Sequence, residues 1–283
     1  MTALRDLLWR DPATRRALLA LGLIVLVVIV GPWLSPWDQD EVDFAGAWSA
    51  PPSLDSGHWF GTDSLGRDLY VRSLQGGRVS LAVGLAATLV SLLIGVAWGA
   101  VAGYVGGRVD AWMMRTVDVL YALPFMFFVI LLMVLLGRHW LLVFVAIGAV
   151  NWLDMARIVR GQTLSLKQRE FVQAARLAGL PPAAIIRRHI VPNLLGVVIV
   201  YAALTVPQVI LAESFLSFLG LGVQEPATSW GALVNEGSRE LEASPWPLLF
   251  PALLLAATLL VLNRLGDRLR DRLDPGLRPA GVR

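Results

Sequence analysis

The sequence contains no cysteine, a single lysine and three histidines, and only 16% of its 283 residues are charged. The missing cysteines remove disulfides and thiolate metal sites. The scarcity of lysine removes the phosphate-gripping residue of a nucleotide-binding P-loop, because Lys167 stands in LSLKQRE with no glycine-rich run before it. His58, His139 and His189 lie on separate segments without metal-ligand spacing, and no G-x-S-x-G nucleophile elbow occurs. Catalysis by this chain is therefore disfavoured. A soluble domain carries about a quarter charged residues, so the low charge, 56% hydrophobic content and mean hydropathy of +0.65 point to the membrane as solvent.

Uncharged runs cover Ala17–Trp37, Val79–Gly107, Val119–Gly137, His139–Leu153, Ile190–Ala212 and Ala243–Asn263. Most reach the ~20 apolar residues that cross a bilayer as helix. They are continuously apolar rather than alternating, which favours helices over barrel strands. The pattern predicts an all-α membrane protein with six transmembrane helices. The marginal fourth lies between an Arg138 turn and Arg157, with Asp154 near its cytosolic end. If the N-terminus is cytosolic, the inside segments hold 19 of the 24 Lys and Arg, leaving Arg67, Arg72, Arg78, Arg138 and Arg239 outside. The positive-inside rule thus places both termini in the cytosol. The net charge of +3 reads as topology and anionic-lipid contact rather than nucleic-acid binding. The first hydrophobic run follows Arg15-Arg16, and Ala45-Gly46-Ala47 offers small residues for cleavage, but that site lies beyond Pro32, Pro36 and an acidic stretch. A retained signal-anchor helix is expected.

The resulting division is a cytosolic segment 1–16, a first span 17–37, a periplasmic cap loop 38–78, a transmembrane core 79–265 and a cytosolic tail 266–283. The cap loop holds seven carboxylates, and its Trp37, Trp48, Trp59, Phe60 and Tyr70 suit a membrane interface. Asp63 is placed as the N-cap of a short amphipathic helix through Leu65, Leu69 and Val71. A second outward loop, 221–246, is rich in Gly and Pro and carries Glu225, Glu236, Glu240 and Glu242. The inward loop 157–191 is too basic to be buried in lipid. Two short helices fit it, the first over about 165–177 with Phe171, Ala174, Ala175 and Ala178 on one face. Gly179 caps it, and Pro181-Pro182 opens the next. A flat alanine face suits a groove on another protein better than a lipid surface, which would call for larger apolar residues.

At this loop the sequence resembles a known family. Gln173-Ala174-Ala175, three residues, Gly179 and then Pro192 is similar to the EAA loop of ABC importer permeases, with Gln173 in place of the glutamate and His189 and Val191 at the Ile and Leu positions. Gly61, Thr62, Asp63, Gly66, Arg67 and Asp68 resemble the GTD-x-x-GRD signature of peptide and nickel permeases, and Arg188 to Asn193 their RHI-x-PN. Asn151 to Lys167, Glu213 to Gly222, Thr228 to Leu233 and Leu269 to Pro275 are similar to the C-type subunit of oligopeptide permeases. The likeness runs from about Arg16 to Pro275.

It implies a type I importer permease in a bacterial inner membrane. A homologous second permease would pair with it, and two cytosolic ATPases would hold ATP and Mg²⁺, with no cofactor on this chain. A periplasmic or lipid-anchored binding protein would deliver peptide. The loop 165–190 would be the coupling segment, Ala174 and Ala175 packing in an ATPase groove, Gly179 turning the chain, Glu170 and Arg176 touching the rim. Peptide length, and the choice between oligopeptide, dipeptide and nickel chelate, stay open.

Three ionisable residues fall inside or at the ends of the spans. Asp118 and Asp154 are expected to pair with Arg115 and Arg157. Glu213, beside Ser214 and Ser217, either faces a pathway or fixes helix packing at an outer gate. Pro124 and Pro207 are expected to kink helices 3 and 5. A secondary transporter would need embedded charge pairs or corresponding broken helices in two halves, and a membrane enzyme a converging nucleophile and base. Neither pattern is evident.

Overall fold

The computed structural model describes residues 11–44, 46, 48–136 and 140–273. The expectations for residues 1–10, Ala45, Ala47, the Arg138 turn, His139 and the tail 274–283 with Pro275 lie outside them. Among the described residues the regular structure is helical, with two isolated bridges, Val42 to Arg67 and Thr62 to Asp68, and no strand. α1 (Pro12–Val30) runs into a 3-10 turn (Gly31–Leu34), and α2 is Leu69–Val105. α3 (Gly107–Tyr121), α4 (Phe125–Leu136) and α5 (Trp140–Leu166) follow. α6 (Glu170–Leu177) and α7 (Pro182–Ile185) lead through a π-turn (Ile186–Ile190) into α8 (Val191–Phe218), and α9 (Trp230–Ser238) and α10 (Trp246–Leu273) end the fold.

Among the described residues, four helical stretches are long and apolar enough to cross a membrane: Pro12–Leu34, Leu69–Val105, Pro182–Phe218 and Trp246–Asp271. The other two expected spans fall on α4, which has 12 residues, and on the apolar half of α5. Helix starts follow caps rather than the ends of uncharged runs. Asp11 accepts from the Ala13 and Thr14 amides with Pro12 in the first turn, so α1 begins five residues before Ala17. Asp68, not Asp63, caps α2 by accepting from the Val71 amide at 2.8 Å, so the last ten residues of the expected cap loop are helix. Ser229 accepts from the Ala232 amide and starts α9 inside the second outward loop. The expected helix over 165–177 divides: α5 continues to Leu166, and α6 begins at Glu170. The chain breaks at Ala122–Pro124 between α3 and α4, where a kink at Pro124 was expected, while Pro207 stays inside α8.

α2 is the central rod, about 55 Å long at 1.5 Å per residue. Its outward face carries Leu85, Leu89 and Leu93, each more than half exposed, while its inward face carries Ser80, Gly84, Ala87, Thr88 and Ser91. This is the reverse of a soluble helix and what a lipid solvent selects. Towards its C-terminus Gly95, Gly99 and Gly103 lie one turn apart against α5. A Cβ on Gly95 would sit 2.6 Å from the Met155 Cβ, one on Gly103 would sit 2.8 Å from the Arg160 carbonyl oxygen, and one on Gly99 would strike the Ala156 carbonyl. Only glycine permits that approach. Elsewhere α8 meets α2 at Gly84, where Ile210 fills the space, and Trp230 of α9 lies against Gly77.

Two ion pairs tie amphipathic α3 to α5. Arg160 grips Asp110 with both arms, at 2.5 and 2.6 Å, and Arg157 reaches Asp118 at 2.8 Å with its guanidinium over Tyr121. The expected partners were wrong. Asp118 pairs across helices rather than with Arg115, and Asp154 has no ion-pair partner among the described residues.

Gly99→Leu is expected to lower the unfolding midpoint of the detergent-solubilised chain, at a cost of about 1–3 kcal/mol for overpacking. Gly161→Ala, on α5 with nothing within 4 Å of an added Cβ, is expected to leave it unchanged or raise it. Thermal unfolding followed by circular dichroism reads both.

Candidate functional site

The two ends of α2 differ in chemistry. At its C-terminal, basic end, α6 and α7 form an elbow on α2 and α5. Val172, Ile185 and Ile190 are fully buried there, with Ala175, against Ala100, Tyr104, Val159 and Leu194. Arg176 donates from Nε to the Tyr104 hydroxyl at 3.2 Å and lies over its ring. α6 ends in a Schellman cap: Leu180 donates to the Ala175 carbonyl and Gly179, at φ +78°, to that of Arg176. Pro182 opens α7 as expected.

The alanine face is not shared as expected. Adjacent helical residues point about 100° apart, so Ala175 turns inward with Val172, while Ala174 faces outward with Phe171, Leu177 and Ala178. Leu177 is 91% exposed, which makes this stripe the elbow's apolar surface. Glu170 stands exposed in the first turn of α6, His189 is half-buried 6.4 Å from Phe171 between ring centres, and Pro192 is exposed at the start of α8. Gln173 donates from Nε2 to the Lys167 carbonyl at 3.1 Å, a bond a glutamate could not make.

At the opposite, acidic end, the glycine-threonine-aspartate segment is a clasp. Thr62 Oγ1 accepts from the Ala50 amide at 2.8 Å, and Gly61, at φ +82°, leaves no room for a Cβ beside the Ala50 carbonyl. Asp63 accepts from the Leu65 and Arg67 amides and from Arg67 Nε, and pairs with buried Arg72 of α2. Gly66 turns the chain at φ +78°. Arg67 extends to Glu225 at 2.8 Å and Arg72 to Glu236 at 2.9 Å, joining the two outward loops. His58 lies between two carboxylates, Nδ1 2.8 Å from Asp68 and Nε2 3.4 Å from Asp43. Burial pushes the Asp68 carboxyl above its ordinary range, against the bonds from Val71 and His58. Trp59, Phe60 and Tyr70 turn inward, Phe60 stacking on Phe250 at 4.1 Å, so of the expected interface aromatics Trp48 is the one left fully exposed.

Glu213 of α8 is fully buried. Ser217 donates to it at 2.6 Å, Ser80 of α2 at 3.1 Å and Ser214 at 3.5 Å, and Ser80 in turn accepts from the Trp230 amide of α9. The carboxyl thus joins three helices. Arg72, Ser80 and Trp230 were not foreseen as partners. Each sits far in sequence from what it touches, and the outward-loop carboxylates gave the only hint that a buried cation was needed.

Arg72→Leu removes a buried cation from Asp63, which keeps Arg67, and from partly exposed Glu236, and is expected to destabilise this end by about 1–3 kcal/mol. Glu225→Gln, at a carboxylate 61% exposed, should cost under about 1 kcal/mol. Limited proteolysis of the cap segment distinguishes them.

The family model of binding-protein-dependent transport system inner membrane components matches residues 95–279, and that of the N-terminal TM domain of oligopeptide transport permease C matches residues 8–52. The chain is 56% identical over 276 residues to the oligopeptide transport system permease protein OppC of Escherichia coli strain K12, covering 95% of this chain and 91% of that one. It is 53% identical over 267 residues to the OppC protein of Haemophilus influenzae (94% and 86%), and 48% identical over 276 residues to the dipeptide transport system permease protein DppC of Bacillus subtilis (95% and 85%). With its long apolar helices, basic elbow and acidic clasp, the chain belongs to the binding-protein-dependent transport system inner membrane components.

Proposed function

We propose that this chain is the C-type permease subunit of an ATP-driven oligopeptide importer, forming half of the path through the inner membrane. Relatives named for oligopeptide transport, at 56% and 53% identity, support that substrate class ahead of dipeptide, at 48%. The topology consistent with this is six spans with both termini cytosolic, α4 and the apolar half of α5 completing the set. The division into 1–16, 17–37, 38–78, 79–265 and 266–283 follows it, α2 extending the core back to Leu69. A second, homologous permease pairs with it, and a periplasmic or lipid-anchored protein delivers peptide. ATP and Mg²⁺ belong to two cytosolic ATPase subunits, and this chain does no hydrolysis.

The observation that carries the coupling role is the exposed stripe of Phe171, Ala174, Leu177 and Ala178, presented by an elbow whose other face is packed into α2 and α5. A surface that docked loosely would absorb an ATPase movement; one anchored by Val172, Ala175, Ile185 and Ile190 passes it on. Ala175 serves as anchor, not as contact. Glu170 and Arg176 flank the stripe, and Gln173 ties the α5–α6 turn. At the other end, the clasp from Gly61 to Asp68 holds the outer loops as one platform for the delivering protein. Glu213, Ser214 and Ser217 act as packing at the outer gate.

Leu177→Asp removes about 1.5–3 kcal/mol of apolar burial at such an interface. It is expected to lower co-purification of the ATPase subunits at least about tenfold while the permease pair stays assembled. Glu170→Ala with Gln173→Ala should weaken it less; undiminished ATPase retention in the double variant would remove both from the interface.

A further inference from the structure

Two hollows open on the surface of the chain and share Asn151 and Asp154. One, of about 470 Å³, is lined also by Tyr201, Thr205, Gln208 and Arg270. The other, of about 360 Å³, is lined by Tyr121, Leu123 and Pro124 at the break between α3 and α4. Asp154 and Gln208 are exposed, and neither has a side-chain hydrogen bond or ion pair among the described residues. Gln208 lies ten residues from the C-terminus of α8, about 15 Å along a membrane-spanning helix. Uncompensated polar side chains at that depth are costly against lipid and face a partner or water instead.

We propose that these joined hollows are the wall this chain contributes to a water-filled substrate path, and that Asp154 meets the ammonium group of the passing peptide. The inference rests on the importer reading above and names the part of the surface that performs it. Arg157, the nearest cation on α5, is already held by Asp118, so it does not neutralise Asp154. Arg270 supplies a positive charge on the same wall, suited to a carboxylate. Asn151 keeps its amide oxygen available, its Nδ2 being spent on the Ile147 carbonyl, and with Gln208 offers hydrogen bonds that any peptide backbone satisfies.

The absence of cysteine makes the test direct. Gln208→Cys is made in the assembled transporter, with Leu253→Cys, on α10 and 62% exposed, as a lipid-facing control. Each is treated with methanethiosulfonates bearing a trimethylammonium or a sulfonate, and labelling of this chain is measured. The thiol at 208 should react and be protected by a saturating tripeptide during ATP turnover, while that at 253 should not react. Adding Asp154→Asn should lower the cation-to-anion reactivity ratio at 208 at least about fivefold, and Asp154→Glu should restore it. An unreactive thiol at 208, or one indifferent to peptide, overturns the path; an unchanged ratio overturns the role of Asp154. ATP-driven tripeptide uptake by the parent assembly is measured alongside, and its absence would count against the importer reading while leaving the charge result standing.

Discussion

The fold depends on the approach of α2 to α5. In water two apolar helices associate because burial removes them from solvent; in a bilayer the lipid tails are as apolar as the side chains they replace, and close packing must do the work. Gly95, Gly99 and Gly103 let the α5 backbone come within contact distance of α2 over two turns. Everything at the basic end is built on that contact. Tyr104, which holds Arg176, stands one residue past the last of these glycines, and Val159, which packs under Val172 and Ala175, faces the middle one. The Arg160–Asp110 clamp then fastens α3 to the same pair. A wider spacing between α2 and α5 would unseat the elbow, the clamp and the docking stripe together.

A rod gripped at both ends transmits motion rather than absorbing it. α2 is held at its start by the Asp68 cap and the Arg72–Asp63–Glu236 network, and at its end by the elbow. The outer network differs from an ordinary surface ion pair, since Arg72 is almost fully buried and its carboxylates come from two loops more than 150 residues apart. Asp63 is shared between Arg67 and Arg72, so the network ties the two loops through more than one ion pair.

Four long apolar helices, the Gly179 turn, the Pro182 start and the exposed basic elbow were legible because each follows from local sequence: apolar length, a positive φ, a fixed φ, charge. What was missed depended on contacts the chain makes with itself at long range. Asp63 and Asp68 are equivalent as caps on paper, and the choice fell to Asp68 because Arg67 and Arg72 claim Asp63. Asp118 sits one turn from Arg115, but α5 brings Arg157 to it with Tyr121 beneath. Ala174 and Ala175 read as one face because both are small; the 100° step of a helix separates them, and only the presence of α2 decides which is inside. The Gly95-Gly99-Gly103 repeat was available in the sequence and signals close helix packing, yet it does not name the partner helix.

The two embedded carboxylates show how the chain divides rigid from open. Glu213 has a serine at every approach, two on its own helix and one on α2, and that serine also holds the start of α9. A group so fully hydrogen-bonded in a dry site specifies one arrangement of three helices and resists any other. Asp154 lines a hollow at the break in the α3–α4 segment, with no side-chain partner among the described residues. The difference cannot arise from residue type, since both are acids on apolar helices; it arises from what the neighbouring helices bring. Packing therefore gives Glu213 a fixed set of partners and leaves Asp154 exposed, with no side-chain partner among the described residues.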